Sequence, residues 1–205
     1  DNILPLLCAI RTKPFVLLAG ISGTGKSRIV RKLAQATVKK ELAPEIEGDD
    51  AKRWELPSPA NFQLIQVKPN WHNSMDVVGY LSNIPEPHYV FTPFVEFIIK
   101  AMQYPFIPFF LCLDEMNLAP VEEYFAEFLS AIESRSCVNK EYFTDPLIKP
   151  FNSFGENVCN EMIRTFFPEY NPDKKDNENE YLIDRLKNQG LMLPQNLIVI
   201  GTVNM

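Results

Sequence analysis

Residues 15–27 read Phe-Val-Leu-Leu-Ala-Gly-Ile-Ser-Gly-Thr-Gly-Lys-Ser, a short apolar run followed by a glycine-rich turn. From Gly20 to Ser27 the spacing is G-x-x-x-x-G-K-S, the pattern of a phosphate-binding loop between a strand and a helix. The glycines permit the positive φ angles and the close approach that let successive backbone N–H groups surround a phosphate. The helix that follows directs the positive end of its dipole to the same place. The stretch therefore predicts a strand, a phosphate loop and a helix, in that order.

The residue types of the loop give the first candidate functional residues. Lys26 would reach the β- and γ-phosphates of a nucleotide, and the Ser27 hydroxyl would bind Mg²⁺. The predicted nucleotide-contacting set is the loop and the residue after it: Gly20, Ser22, Gly23, Thr24, Gly25, Lys26, Ser27 and Arg28. The alternative is a glycine turn that precedes Lys-Ser by coincidence. The strand pattern before the loop and the helix pattern after it argue against a coincidence.

The composition is that of an ordinary globular chain. It has 205 residues, of which 46% are hydrophobic and 22% charged, and a net charge of −6. Such a chain can bury a core. Its net charge does not indicate a nucleic-acid-binding surface, but it does not exclude a local basic stripe. No apolar run approaches the ~20 residues of a membrane span, and the first residues do not resemble a signal peptide. The four cysteines form no C-x-x-C pair, which favours reduced thiols in a cytoplasmic protein over a zinc site.

A second apolar run, residues 109–113, ends in two adjacent carboxylates, Asp114 and Glu115. Such a run indicates a strand buried on both faces of a parallel sheet, and ligands of open α/β sheets bind beyond the carboxyl ends of the strands. In this Walker B pattern Asp114 would hold Mg²⁺ through its water shell, and Glu115 would orient and polarise the attacking water. The pair is weak evidence alone, because acidic residues often begin loops, but it is strong together with an upstream phosphate loop.

Hydrophobic periodicity predicts the remaining elements. The predicted helices cover residues 1–14, 26–40, 92–103 and 121–133, and further strands cover 62–67 and 197–202. Residues 44–60 are predicted to be a loop or an inserted excursion, 116–120 a turn and 70–91 irregular. Residues 136–190 are predicted to be less organised, with short helices at 158–167 and 181–187 and a charged loop at 171–180. Since strands alternate with helices, the sheet should be parallel. The phosphate loop, the Asp114–Glu115 pair and Asn204 each follow a strand, so they should converge at one edge.

Three motifs together resemble the AAA+ NTPases, and more narrowly the McrB subunits of modified-cytosine restriction systems in the dynein/MoxR-related branch. They are the phosphate loop, Leu-Asp-Glu-Met-Asn at 113–117 and Gly-Thr-Val-Asn-Met at 201–205. The phrases at 66–72, 76–80 and 193–197 are similar to that family as well. The resemblance covers residues 12–135 and 191–205, and residues 136–190 are predicted to be an insertion.

The resemblance implies a single AAA+ nucleotide-binding core over residues 1–205, truncated after the sensor-1 strand. Its fold would be α/β, a three-layer α/β/α sandwich with a mostly parallel sheet and without the helical lid. By position Asn204 would be the sensor-1 asparagine, touching the γ-phosphate or the water, and Asn117 would assist at the same site. Arg135 would either act on a neighbouring subunit or form a surface ion pair, and the ion pair is favoured.

The activity implied is Mg²⁺-dependent hydrolysis of GTP or ATP in a cytoplasmic ring, expected to be a hexamer. The expected partners are an endonuclease subunit and DNA, and the DNA would be reached through the assembly or another domain. Membrane binding is not expected. One alternative is a MoxR-like ATPase that remodels proteins, and another is a scaffold that senses nucleotide without hydrolysing it. The scaffold is disfavoured because a pure binder does not need Glu115. A phosphotransferase is weaker still, because the Asp-Glu pair favours water as the nucleophile.

Overall fold

The computed structural model describes residues 3–13, 15–139, 141–174 and 179–205. The chain divides into two compact units. The first unit consists of Asp1–Trp71, Tyr104–Val121 and Gln195–Met205, and the second of His72–Gln103 and Glu122–Pro194. Within the described ranges, none of the helices combines the length and the apolar character that crossing a bilayer requires.

The chain alternates short strands with helices. In chain order the strands are β1 (Phe15–Gly20), β2 (Phe62–Gln66), β3 (Tyr80–Ser82), β4 (His88–Val90), β5 (Phe109–Asp114), β6 (Ser136–Val138), β7 (Glu141–Phe143) and β8 (Leu197–Asn204). The α-helices are α1 (Leu4–Thr12), α2 (Lys26–Thr37), α3 (Met75–Val78), α4 (Pro93–Gln103), α5 (Val121–Tyr124), α6 (Ala126–Glu133), α7 (Glu156–Phe166) and α8 (Glu180–Gln189). Short 3₁₀ turns cover Pro44–Ile46, Asp50–Glu55, Met116–Leu118 and Phe151–Phe154.

The first unit is built on a four-stranded parallel sheet in the order β1-β8-β5-β2. The register pairs Gly20 with Asn204, and Leu113 with Gly201. Because the strands run the same way, the carboxyl ends of β1, β5 and β8 meet at one edge. This arrangement confirms the predicted α/β class with a parallel sheet, and it brings together the segments that follow these three strands.

Helix α2 packs its apolar side on this sheet. The buried cluster joins residues of α2 with residues of β2, β5 and β8: Val30, Leu33, Ala34, Phe62, Phe110, Cys112 and Ile200. Ile29, an apolar residue of the same helix, is 42% exposed. The helix predicted near the amino terminus is confirmed as α1, but none of its residues is fully buried, and only Leu6 and Ile10 pack against the cluster.

Helix α2 is shorter than the periodicity predicts, ending at Thr37 rather than at residue 40. Val38 adopts an extended backbone, and its N–H bonds to Ala34 O. The Asn61 side chain also donates to Ala34 O and to the Thr37 hydroxyl. Carbonyl groups at the end of a helix need such partners. Asn61, which is distant in sequence, therefore helps to end α2 at a residue that the local sequence does not predict.

The second unit has an aromatic centre formed by helices α4 and α6. The Phe94 ring meets the rings of Phe125 and Phe128 edge-on at 5.9 and 5.7 Å, and these two stack at 4.3 Å. Helix α4 confirms the prediction for 92–103. The helix predicted at 121–133 is instead divided into α5 and α6, because Phe125 leaves helical geometry at φ −116° and ψ 5°.

Two stretches of the chain are more regular than predicted. Residues 70–91, predicted to be irregular, contain α3 and the antiparallel hairpin β3–β4. A second hairpin, β6–β7, follows α6. Strands of three residues are too short to show an alternating pattern, so the sequence does not reveal them. The short helices predicted at 158–167 and 181–187 are confirmed as α7 and α8, whereas residues 175–178 of the predicted charged loop lie outside the described residues.

Candidate functional site

The phosphate loop takes its shape from glycine at two positions with positive φ. Gly23 and Gly25 have φ of 79° and 83°, in the region that L side chains rarely adopt. Gly25 is the N-cap of α2, so the helix begins at Lys26. The Thr24 hydroxyl donates to Ile21 O at 2.8 Å and closes the turn. The free N–H groups at the beginning of α2 therefore face the loop, where an anion would be stabilised.

Lys26 connects the loop to the neighbouring strand. Its ammonium nitrogen donates to Gly20 O and Ile21 O, both at 2.9 Å, and to Asn204 Oδ1 at 3.0 Å. Lys26 and Asn204 are 178 positions apart in sequence. The contact is possible because β1 and β8 are adjacent, and it places a fixed positive charge at the mouth of the loop.

Ser27 and Asp114 meet where α2 faces the end of β5. The Ser27 hydroxyl donates to Asp114 Oδ1 at 2.7 Å. The Thr202 hydroxyl, from β8, donates to the same carboxylate oxygen at 2.6 Å. Two hydroxyl groups thus hold one carboxylate, and Ser27 Oγ, which has two lone pairs, can offer one to a cation.

Glu115 lies beside this pair and contacts Asn204. Asn204 Nδ2 donates to Glu115 Oε1 at 2.8 Å, while Asn204 Oδ1 accepts from Lys26. One carboxamide therefore links an ammonium group and a carboxylate. Glu115 itself has a left-handed backbone, with φ 55° and ψ 48°, a conformation that costs a non-glycine residue about 1–2 kcal/mol.

These side chains surround a cavity of about 240 Å³. It is lined by residues of the loop, of the end of β5 and of β8: Ser22, Gly23, Gly25, Lys26, Ser27, Arg28, Asp114, Glu115 and Asn204. Complete small-molecule sites usually enclose about 300–1,000 Å³. The cavity is thus suited to the phosphate end of a nucleotide rather than to the whole molecule.

Three of the predicted site residues do not line this cavity. Gly20 contributes only its carbonyl to Lys26, and the Thr24 hydroxyl is directed to the loop backbone. Asn117 donates to the backbone oxygen of Asn204 at 3.3 Å. The side chain of Asn117 thus contacts the end of β8 from outside the cavity, while the other predicted residues converge on it.

The residues present fit a phosphate chain with Mg²⁺. Magnesium prefers hard oxygen ligands, and Ser27 Oγ and Asp114 Oδ1 are two such atoms 2.7 Å apart. Lys26 and the positive end of α2 supply the opposite charge for phosphate oxygens. Ser27 and Asp114 would therefore hold the cation, and Lys26 with the loop backbone would hold the phosphates.

Cys112 lies two residues before Asp114 on β5 and is fully buried. Burial, with a further contribution from the Asp114 charge, raises the pKa of this thiol to about 12. The thiol therefore stays protonated at neutral pH, which is the less nucleophilic form.

Sequence reasoning missed Thr202, which is 1% exposed and bonds to both acidic positions. The signal was present, because Thr202 is a polar residue within an apolar strand, two positions before Asn204. Residues at i and i+2 of a strand share a face. A search for polar residues on the face that carries Asn204 would have found it.

Arg135 does not form the surface ion pair that the sequence favours. Its Nη1 donates to Ile132 O at 3.0 Å, at the end of α6. Among the described side chains, no carboxylate lies within ion-pair distance of this guanidinium. Arginine near a helix C-terminus bonds readily to the last carbonyls, which explains the contact.

The sheet order, the loop after β1 and the carboxylates after β5 together define an α/β nucleoside-triphosphatase of the P-loop class. Residues 15–186 match the family described as the AAA domain, dynein-related subfamily, and the chain belongs to this family. Domains of this family bind and hydrolyse nucleoside triphosphates, usually with Mg²⁺, and typically form oligomers. A search of curated proteins gave no match to the chain.

Proposed function

We propose that the chain is the Mg²⁺-dependent nucleoside-triphosphate-hydrolysing core of a DNA-translocating restriction complex of the McrBC type. The observation that carries the proposal is the Asn204 carboxamide, bonded on one side to Lys26 and on the other to Glu115. It brings together, in one cavity, the Lys26 ammonium group, which would bind phosphate, and the Glu115 carboxylate, which would orient water. The McrB-like specificity rests on the motifs at 113–117 and 201–205.

Each residue has a distinct part in the proposed reaction. The loop backbone and Lys26 bind the β- and γ-phosphates, and Ser27 and Asp114 hold the cation. When bound, Mg²⁺ neutralises charge on the phosphates and orients them. Glu115 orients the attacking water and polarises it. Asn204, in contact with Lys26 and Glu115, contacts the γ-phosphate between them. Asn117 supports Asn204 by donating a hydrogen bond to the backbone oxygen of Asn204.

The cavity supports hydrolysis more than passive binding. Holding a nucleotide requires the loop, Lys26 and the metal ligands, but not a second carboxylate at the cavity wall. Glu115 lines the cavity and is held by Asn204 at 2.8 Å. A scaffold that only senses nucleotide would have no use for that arrangement.

The rest of the assembly follows from the family resemblance. We propose one core over residues 1–205 with an insertion at 136–190, working in a hexameric cytoplasmic ring with an endonuclease subunit. The family match extends to residue 186 and so includes most of the proposed insertion. DNA would be reached through the assembly or another domain, in keeping with the net charge of −6.

The test compares GTP and ATP as ligands and substrates of the assembled protein. Binding is measured with fluorescent nucleotides and hydrolysis by phosphate release, each with and without Mg²⁺. We expect a preference for GTP, and we expect Glu115→Gln to reduce hydrolysis by about 10²–10⁴-fold while binding is retained. Glu45→Gln, at an exposed acidic position of the first unit outside the cavity, is the matched control and should not change turnover.

Other outcomes would select the alternatives. A preference for ATP would favour a MoxR-like ATPase that remodels proteins. Binding without hydrolysis by the assembled ring would favour the nucleotide-sensing scaffold and would contradict the proposed role of Glu115.

A further inference from the structure

Thr202 is one of the few buried polar side chains of the described chain. It lies on β8 beside Leu18 of β1, with 1% of its surface exposed. A polar group this deep in a sheet is costly unless its hydrogen bonds are made. Its partners therefore indicate why threonine, and not valine, occupies the position.

The Thr202 hydroxyl is both a donor and an acceptor. It donates to Asp114 Oδ1 at 2.6 Å and accepts from the backbone N–H of Glu115 at 3.0 Å. A hydroxyl carries one hydrogen, and here that hydrogen is committed to Asp114. A single oxygen atom thus fixes the carboxylate of one acidic residue and the backbone of the next.

The bond to Asp114 is independent of the phosphate loop. Asp114 Oδ1 also accepts from Ser27, at 2.7 Å, but Ser27 belongs to the first turn of α2. Thr202 belongs to β8, which pairs with β5 along most of its length. The sheet therefore holds the Asp114 carboxylate in place, and the carboxylate in turn orients the hydrogen of Ser27.

The bond to Glu115 N supports an uncommon backbone. Glu115 is in the left-handed region, and the turn Met116–Leu118 begins directly after it. Next to Thr202, Gly201 leaves room for Met116, because a Cβ at Gly201 would overlap Met116 Sδ. Adjacent residues of β8 thus shape this turn, one by a hydrogen bond and one by lacking a side chain.

We propose that Thr202 is a positioning residue that fixes the magnesium-binding Asp114 and the water-orienting Glu115 relative to each other. The proposal rests on the proposed function of the same cavity and adds to it a residue outside the Walker motifs. Loss of the hydroxyl leaves the Glu115 N–H without its partner and lets Asp114 rotate away from Ser27. The phosphate-binding loop of the cavity is then unchanged, but Asp114 and Glu115 are no longer held in fixed positions around the cation.

The experiment uses three threonine variants. Thr202→Val removes the hydroxyl and keeps the shape, and Thr202→Ser restores the hydroxyl. Thr144→Val is the matched control, because Thr144 is buried in the second unit and accepts from Leu193 N at 3.0 Å. If the valine variant does not fold, Thr202→Cys, similar in size and with a weakly hydrogen-bonding thiol, takes its place.

Two measurements do not depend on turnover. The first is the affinity for Mn²⁺, measured by electron paramagnetic resonance with a non-hydrolysable GTP or ATP analogue. The second is hydrogen exchange of the peptide over residues 109–118. For Thr202→Val we expect Mn²⁺ affinity to fall about 10–100-fold and exchange of this peptide to accelerate through the Glu115 N–H, with nucleotide affinity in EDTA unchanged. Thr202→Ser should recover most of both.

The turnover measurement separates positioning from general destabilisation. For Thr202→Val we expect kcat to fall about 10–100-fold with little change in KM at saturating Mg²⁺. If Thr202→Val and Thr144→Val differ by less than about twofold in Mn²⁺ affinity, and exchange of the peptide 109–118 is unchanged, the proposal is overturned. A wild-type protein that binds but hydrolyses neither nucleotide overturns the proposed function instead, and the Mn²⁺ and exchange results still decide the role of Thr202.

Discussion

Asn61 shows how one buried side chain joins distant parts of the first unit. It has no exposed surface, and its Nδ2 donates to Ala34 O, Thr37 Oγ1 and Pro108 O at 3.2, 3.2 and 3.0 Å. These contacts join the end of α2 to the residue before β5. Hydrogen bonds of Asn61 therefore connect β5, which carries Asp114, and α2, which carries Lys26, at the ends of these elements that are remote from the cavity.

We expect Asn61→Ala to lower the free energy of unfolding by about 1–3 kcal/mol, because three acceptors lose a buried donor. Urea denaturation followed by circular dichroism measures the change. Asn157→Ala removes the same group from an exposed position of α7 and should change stability by less than about 0.5 kcal/mol. Equal effects of the two substitutions would mean that the Asn61 contacts contribute little.

The four cysteines should react with a thiol-directed reagent at two different rates. Cys8 and Cys137 are exposed, whereas Cys112 and Cys159 are buried. Burial raises the pKa of Cys112 to about 12, so at pH 8 its thiolate fraction is roughly three orders of magnitude below that of a free cysteine. In native protein, a thiol-reactive dye followed by peptide mapping should label Cys8 and Cys137 first. Rapid labelling of Cys112 would show that the core under the site opens readily.

At the scale of elements, β8 and the turn after β5 approach each other closely near the site. Met116 is fully buried, and a Cβ on Gly201 would overlap its sulfur and crowd the Leu17 side chain. We expect Gly201→Ala to lower stability by about 1–3 kcal/mol through overpacking.

A double-mutant cycle tests that explanation. If the added methyl group acts on Met116, Gly201→Ala should cost less in a Met116→Ala background than in the wild type. Additive effects would contradict it and would place the strain elsewhere, for example at Leu17. Chemical denaturation of the four proteins gives the coupling energy.

The aromatic centre of the second unit depends on α4 as an element. Phe94 contacts the rings of Phe125 and Phe128 from α6 and its N-cap. We expect Phe94→Ala to lower stability by about 3–5 kcal/mol, since it empties a fully buried site. Phe106→Ala is the control, because Phe106 is 87% exposed. Similar melting temperatures for the two variants would contradict a packed aromatic centre.

At the scale of the molecule, the family to which the chain belongs typically oligomerises. If a ring forms, nucleotide should promote it, because a ligand that binds only the assembled form shifts the equilibrium by mass action. We expect the Glu115→Gln protein to assemble with Mg²⁺ and nucleotide, since it should bind without hydrolysing. Mass photometry measures the size distribution. Lys26→Ala should fail to respond, and an unchanged distribution in the Glu115→Gln protein would contradict nucleotide-driven assembly.

The sequence predicted the first unit better than the second. Strands β1, β2, β5 and β8 and helix α1 of the first unit lie where apolar runs and helical periodicity place them, as does α4 of the second unit. The hairpins β3–β4 and β6–β7 were not predicted, because strands of three residues take their structure from pairing rather than from their own composition. The break at Phe125 was hidden for a similar reason, since the apolar spacing continues through it.

The sequence by itself determined the phosphate loop, the buried strand that ends in Asp114 and Glu115, and the edge at which they meet. These features are local or follow from parallel pairing, because glycine φ angles and unbroken apolar runs are properties of short stretches. Only the tertiary structure decided that α2 stops at Thr37 and that Thr202 holds both acidic positions. Those contacts join residues 24 and 87–88 positions apart, and hydrogen bonds over such separations depend on how the sheet brings its strands together.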